Sequence, residues 1–78
     1  MTLNDELIHE IDLLLKFDLS SALVGLKVHS NADAQVIAAA KRLYQKELVE
    51  HEDGGCLTAL GHEAAEHLQA AQQILTSA

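Results

Sequence analysis

The chain has 78 residues, of which 49% are apolar and two, Phe17 and Tyr44, are aromatic. A chain this short buries only about 60–65% of the surface that it exposes when unfolded, so we expect one domain, residues 1–78, with a small core. The lone Cys56 excludes an internal disulfide and is typical of a reducing cytoplasm. No run approaches the roughly 18 apolar residues that cross a membrane, and no signal peptide is recognisable. We therefore expect a cytoplasmic protein.

The formal charge of −7 is unevenly distributed along the sequence. Residues 1–26 carry five acids and one base, and residues 47–78 carry six acids and no base. Residues 27–46 carry four bases and one acid. The acidic total opposes nonspecific binding to nucleic acid, which needs cations to displace the counterions of phosphate groups. The basic central segment remains compatible with one localised phosphate contact.

A first helix is predicted over residues 3–17, because apolar side chains recur there at helical spacing. The main apolar face consists of Leu3, Leu7, Ile8, Ile11, Leu14 and Leu15. Leu13 and Phe17 form a second ridge beside it. This ridge is either a broad core contact or a subunit interface, since surplus apolar ridges on small domains favour partners.

A short helix over residues 18–24 and a short edge strand over residues 26–29 are predicted next. The central helix is predicted over residues 32–48, and Ser30 and Asp33 have capping-box spacing at its start. Its apolar face consists of Val36, Ile37, Ala40, Leu43, Tyr44 and Leu48. Arg42, Gln45 and Lys46 fall on the opposite side, with Lys41 on the flank.

Two short extended runs flank Asp53-Gly54-Gly55, a sequence that supplies the positive φ angles of a tight hairpin turn. The last helix is predicted over residues 59–76, with Thr58 as its N-cap. One apolar stripe runs along this helix through Leu60, Ala64, Leu68, Ala71, Ile74 and Leu75. The predicted fold is thus mainly α with one short β-hairpin.

This order of elements resembles a winged helix-turn-helix domain. The stretch from Leu48 to Leu68 carries the resemblance, because the Asp-Gly-Gly hairpin is followed by Leu57-Thr58-Ala59-Leu60-Gly61 and a helix. Bacterial winged-helix regulators leave the second wing strand through a similar step. The chain also resembles a family of small uncharacterised bacterial proteins that share Gly25-Leu26-Lys27-Val28-His29, Gly54-Gly55 and Leu57-Thr58. Members of that family are often described as DNA-binding or regulatory proteins.

No catalytic or metal-binding constellation is predicted, and no cofactor is expected. His62 and His67 are five residues apart, about 140° around a helix, so they point to different faces and do not form a zinc pair. Cys56 lies among acidic residues, whereas a catalytic thiol is activated by nearby cations or by a helix N-terminus. The acids Glu50, Glu52 and Asp53 lack the spacing of a calcium loop. We therefore expect a binding protein and not an enzyme.

The bases Lys41, Arg42 and Lys46 fall within six positions of the central helix, together with Gln45. They are a solvated helix face, a phosphate-contacting patch, or a patch that meets an acidic protein surface. In helix-turn-helix proteins the start of the recognition helix reaches the bases, and Gln35 in that position can pair with adenine.

Two functions follow from these patterns. The first is a nucleic-acid-binding or transcription-regulatory module, in which the central helix reads DNA. The second is a protein-interaction module on a winged-helix-like scaffold that does not bind DNA, with the acidic hairpin and the Leu13/Phe17 ridge as working surfaces. A homodimer is expected in either case, because a small core gains stability by burying ridges across a two-fold axis.

Overall fold

A computed structural model of the chain describes residues 2–20 and 25–77. Three helices and a small antiparallel sheet make up these residues, which confirms a mainly α fold with a β-hairpin. In chain order the elements are α1 (Asp5–Leu14), β1 (Leu26–Lys27), α2 (Ala34–Gln45), β2 (Val49–His51), β3 (Gly54–Leu57) and α3 (Ala59–Thr76). Within the described ranges, no helix combines the length and the apolar character that a membrane crossing demands. Residues 21–24 of the predicted short helix lie outside the described residues.

The helix ends follow local hydrogen bonding. Asn4 caps α1, because its side-chain oxygen accepts a hydrogen bond from the Leu7 amide at 2.8 Å, so the helix begins at Asp5 and not at residue 3. α2 ends three residues before the predicted position, because Glu47 adopts a left-handed conformation with φ of 63°. The Leu48 amide then donates to the Leu43 carbonyl at 2.9 Å, which closes the helix end in a Schellman-type turn.

The sheet has the strand order β1-β3-β2, with β3 paired antiparallel to both neighbours. The predicted hairpin forms, but its turn lies at residues 52–53 and the two glycines begin β3. Gly54 has φ of 114°, and a Cβ there would lie 2.1 Å from the Leu26 carbonyl oxygen. Glycine is therefore required both by the backbone conformation and by the close approach of β1.

The core lies where α1, α2 and the start of α3 meet the sheet. Its buried apolar side chains are Leu13, Leu14, Phe17, Ala39, Ala40, Leu43, Val49 and Ala65. Leu13 and Phe17, which the sequence also placed at a subunit interface, belong to this core, and they are 4% and 6% exposed. Their ridge is a core contact, so it has almost no surface left to offer a second chain.

Candidate functional site

A charge cluster joins α1 to α2 around the carboxylate of Glu10, whose side chain is 6% exposed. Arg42 Nε donates a hydrogen bond to Glu10 Oε2 at 2.9 Å, and Lys46 Nζ donates to Glu10 Oε1. Arg42 also contacts Glu6, with Nη1 3.4 Å from the Oε2 atom of that carboxylate. Two of the three bases predicted to contact phosphate are thus paired with carboxylates of the same chain.

Burial disfavours the charged form of a carboxyl group and by itself raises its pKa. At Glu10 this effect is outweighed by the hydrogen bonds and positive charges of Lys46 and Arg42, which hold the pKa of the carboxyl below its usual range. Glu10 is therefore ionised at neutral pH. Its negative charge cancels much of the positive potential that the two bases would otherwise present to an anion.

Sequence reasoning missed Glu10, although the sequence carries a signal for it. Leu7, Leu13 and Leu14 lie three or four residues away along the helix, so Glu10 stands in the middle of an apolar face. A carboxylate in that position requires a buried cationic partner. Arg42 in α2 and Lys46 at its C-cap are four residues apart and supply two such cationic partners.

The remaining predicted reader residues stay on the surface. Gln35, Lys41 and Gln45 are exposed. Within the described ranges, no carboxylate oxygen lies within 4 Å of the Lys41 ammonium group. Lys41 borders a groove of about 420 Å³ whose lining includes Lys27 as well as Glu52 and Asp53. The groove therefore combines two bases with two acids and is not uniformly cationic.

A second candidate surface runs along α3. We define the outer face of α3 as Leu60, Ala64, His67, Ala71, Ile74 and Leu75. Its large members are strongly exposed, with Leu60 at 54%, Ile74 at 72% and Leu75 at 83%. Of the apolar stripe predicted for the last helix, Ala64 and Leu68 pack against the core. Its other four members are exposed, namely Leu60, Ala71, Ile74 and Leu75. At the Leu60 end, the outer face continues into a groove of about 730 Å³ that is also lined by Tyr44 and Val49.

The first half of α3 is held firmly against the body. Thr58 caps the helix as predicted, accepting from the Gly61 amide at 3.0 Å while its hydroxyl donates to the Glu47 carbonyl at 2.6 Å. Gln69 donates from Nε2 to the main-chain carbonyls of Leu14 at 3.3 Å and Phe17 at 2.8 Å. Sequence patterns did not identify Gln69. Beyond it, every residue from 70 to 77 is exposed.

The histidines of α3 do not form a shared site. His62 Nδ1 lies 2.6 Å from Glu66 Oε1, the spacing of four residues expected on one helix face. Over residues 2–20 and 25–77, no three His, Cys, Asp or Glu side chains come together in a way that could hold a metal ion. Cys56 is half-buried with a free thiol.

Comparison with curated proteins and with solved structures gave no match to this chain. One protein-family model does match, over residues 1–76, and its description is "Family of unknown function (DUF5669)". This match agrees with the expected membership of an uncharacterised family of small proteins. Because the family model spans nearly the whole sequence, the chain belongs to this family of unknown function.

Proposed function

We propose that the protein is a protein-interaction module whose working surface is the outer face of α3. The observation that carries this proposal is the exposure of Leu60, Ile74 and Leu75 along a side of α3 that adjoins the face buried in the core. Contiguous exposed apolar surface on a small domain is typical of a partner-binding site. The same surface would otherwise remain in contact with water at a free-energy cost.

Electrostatics favour a protein partner over a nucleic acid. The chain carries a net charge of −7, and Glu10 and Glu6 neutralise Arg42 and Lys46. Lys41 shares its groove with the acids of the β2–β3 turn. A phosphate backbone lying against α2 would therefore meet few unpaired cations. Contacts between unpaired Lys or Arg side chains and phosphate supply most of the affinity in nonspecific binding to nucleic acid.

The scaffold supports the same choice. The hairpin between α2 and α3, together with the placement of β1 beside β3, resembles the wing of a winged-helix domain. A helix-turn-helix, however, consists of two helices joined by a short turn. In residues 25–33 the chain forms β1 and turns, so no helix lies directly before α2 in that segment. We propose a winged-helix-like scaffold that serves protein binding.

Nucleic-acid binding is the second candidate, and the exposure of Gln35, Lys41 and Gln45 favours it. In this alternative α2 reads DNA, Lys41 contacts phosphate, and Arg42 and Lys46 must leave Glu10 to join it. That exchange breaks a buried ion cluster and therefore opposes binding. Lys27 and Lys41, which border one groove, are the bases best placed to act without such a rearrangement.

A salt titration with a labelled mixed-sequence DNA duplex distinguishes the two functions. We expect no measurable binding at physiological ionic strength, because the protein is acidic and two of its bases are paired. Binding that weakens with salt, and that Lys27→Glu with Lys41→Glu abolishes, would establish the nucleic-acid function instead. Lys16→Glu, a single charge reversal on an exposed residue beyond the end of α1, is the control for either lysine substitution made alone.

Substitutions on α3 test the proposed surface directly. Ile74→Glu places a carboxylate in the outer face, whereas Gln73→Glu adds the same charge to a neighbouring exposed position outside it. We expect tagged Ile74→Glu protein to lose every specific protein association that the wild type shows, including association with an untagged copy. We expect Gln73→Glu to retain them. Equal retention by both variants would remove the outer face of α3 as the working surface.

A further inference from the structure

The outer face of α3 has the residue spacing of a coiled coil. Positions 60, 64, 67, 71 and 74 advance by alternating steps of four and three, the repeat with which one helix packs along another. Gly61 and Ala65 are buried against the body and lie on a different side of the helix. The repeat therefore lies beside the buried face, with Ala64 packed against the core at its border and its other positions exposed, so a second helix can lie along it.

The single chain exposes more surface than is usual for its size. Its accessible surface is 5461 Å², whereas a monomeric protein of 8.4 kDa exposes about 4,600 Å² on average. The strongly exposed Leu60, Ile74 and Leu75 contribute apolar area to this surface. Contact with a second helix would remove that area from water.

Charge indicates which kind of partner fits this area. Two copies with a net charge of −7 repel each other, so a surface without acidic groups favours their association. Residues 67–77 contain no Asp, Glu, Lys or Arg. The distal half of α3 is therefore suited to an uncharged apolar contact with a chain of the same charge, and it offers a basic partner no ion pair.

The arrangement of large and small side chains selects an antiparallel pair. With His67 of one helix opposite Ala71 of the other, Ala64 lies opposite Ile74, so each layer joins a large side chain to a small one. Glu63 and Glu66 then lie opposite positions 75 and 72, which are uncharged. A parallel pair would instead bring Glu63 and Glu66 to the same level as their own copies, and like charges repel.

From these observations we infer that the partner of the outer face of α3 is a second copy of this chain, bound as an antiparallel α3–α3 homodimer about a two-fold axis near residue 69. The inference rests on the proposed function and names its partner. The distal end of each α3 then reaches toward the groove beside Leu60 and Tyr44 of the other copy. The dimer covers the apolar side chains that the single chain leaves in water.

Sedimentation of the full chain tests the association. The wild type is expected to be dimeric at high micromolar concentration. Ile74→Glu is expected to weaken the dimer by at least about 100-fold, since each interface buries the added carboxylate twice, and Gln73→Glu is expected to leave it within about 3-fold. A monomeric wild type overturns the inference. If that monomer still binds another protein through Ile74, the proposed function stands without it.

Cross-linking with a short bismaleimide tests the orientation, in a Cys56→Ser background. Ala64→Cys and Ile74→Cys proteins are expected to cross-link when they are mixed and not when each is incubated separately. A cross-link within the separate Ala64→Cys or Ile74→Cys samples would show a parallel pair and overturn the antiparallel assignment. Far-UV circular dichroism of each variant confirms that the cysteine substitutions leave the helices intact.

Discussion

Replacement of Gly61 by alanine is expected to lower the free energy of unfolding by about 3 kcal/mol, although a Gly→Ala substitution within a helix usually raises it. Within most helices the same substitution stabilises by about 1 kcal/mol, because alanine has the higher helix propensity. At this position a Cβ would lie 1.9 Å from the carbonyl oxygen of Leu48. That oxygen also accepts a hydrogen bond from the Thr58 amide at 3.1 Å, so it has little freedom to move.

The clash can be relieved only by moving α3 away from the start of β2. Such a movement loosens the packing of the buried Ala65 and strains the Thr58 cap. Thermal unfolding should show a melting temperature lowered by more than about 10 °C. Gln73→Gly, an exposed change in the same helix, is the control and should cost about 1 kcal/mol. A Gly61→Ala protein as stable as the wild type would contradict the observed approach of α3 to Leu48.

Gly61 also shows why the position of the last helix was predictable while its packing was not. The helical period and the Thr58 cap gave residues 59–76, which the structure confirms. The sequence pattern then favoured the larger apolar side chains as the core face. In the structure Ala64 and Leu68 of that face do pack against the core, but the fully buried residues of the helix are the small Gly61 and Ala65. Close approach of a helix to another segment of backbone requires small side chains. A prediction based on hydrophobicity gives small residues little weight as members of the core face.

The core face of α1 also differs from the one that the sequence pattern predicted. The apolar pattern placed Leu3 and Ile8 in the main face, and both are exposed. The buried face instead contains Glu10 together with Leu13. A search for recurring apolar positions does not identify this face, because a charged residue stands at its centre. The end of α2 was misplaced for a local reason, because Glu47 takes a left-handed conformation that sequence patterns assign to glycine or asparagine.

The buried position of Glu10 leads to the second large effect. Glu10→Gln is expected to lower the free energy of unfolding by about 2–3 kcal/mol. Removing one partner of a buried ion pair costs about 3–5 kcal/mol, and this figure is reduced here because Arg42 is 22% exposed and Lys46 is about half-exposed. The amide cannot neutralise either cation, and its NH₂ group competes with them as a donor.

Urea denaturation at neutral pH measures this loss, with Glu6→Gln as the matched control. Glu6 contacts the same arginine, but its side chain is 69% exposed. We expect the control to lose less than about 0.5 kcal/mol, since solvent screens exposed ion pairs. Equal losses for the two variants would show that burial does not distinguish Glu10, and the pairing of Arg42 and Lys46 would then no longer argue against binding to nucleic acid.

The pH dependence of stability provides an independent test of the same cluster. The pKa of Glu10 is lower in the folded protein than its ordinary value of 4.5, because Lys46 and Arg42 together outweigh the effect of burial. Its contribution to stability is therefore complete above about pH 4.5 and is lost as the pH falls toward the folded pKa. Glu10→Gln lacks this titration, so its stability should approach that of the wild type as the solution becomes more acidic. A difference between the two proteins that stays constant from neutral pH down through this range would contradict an ionised Glu10 that holds α1 against α2.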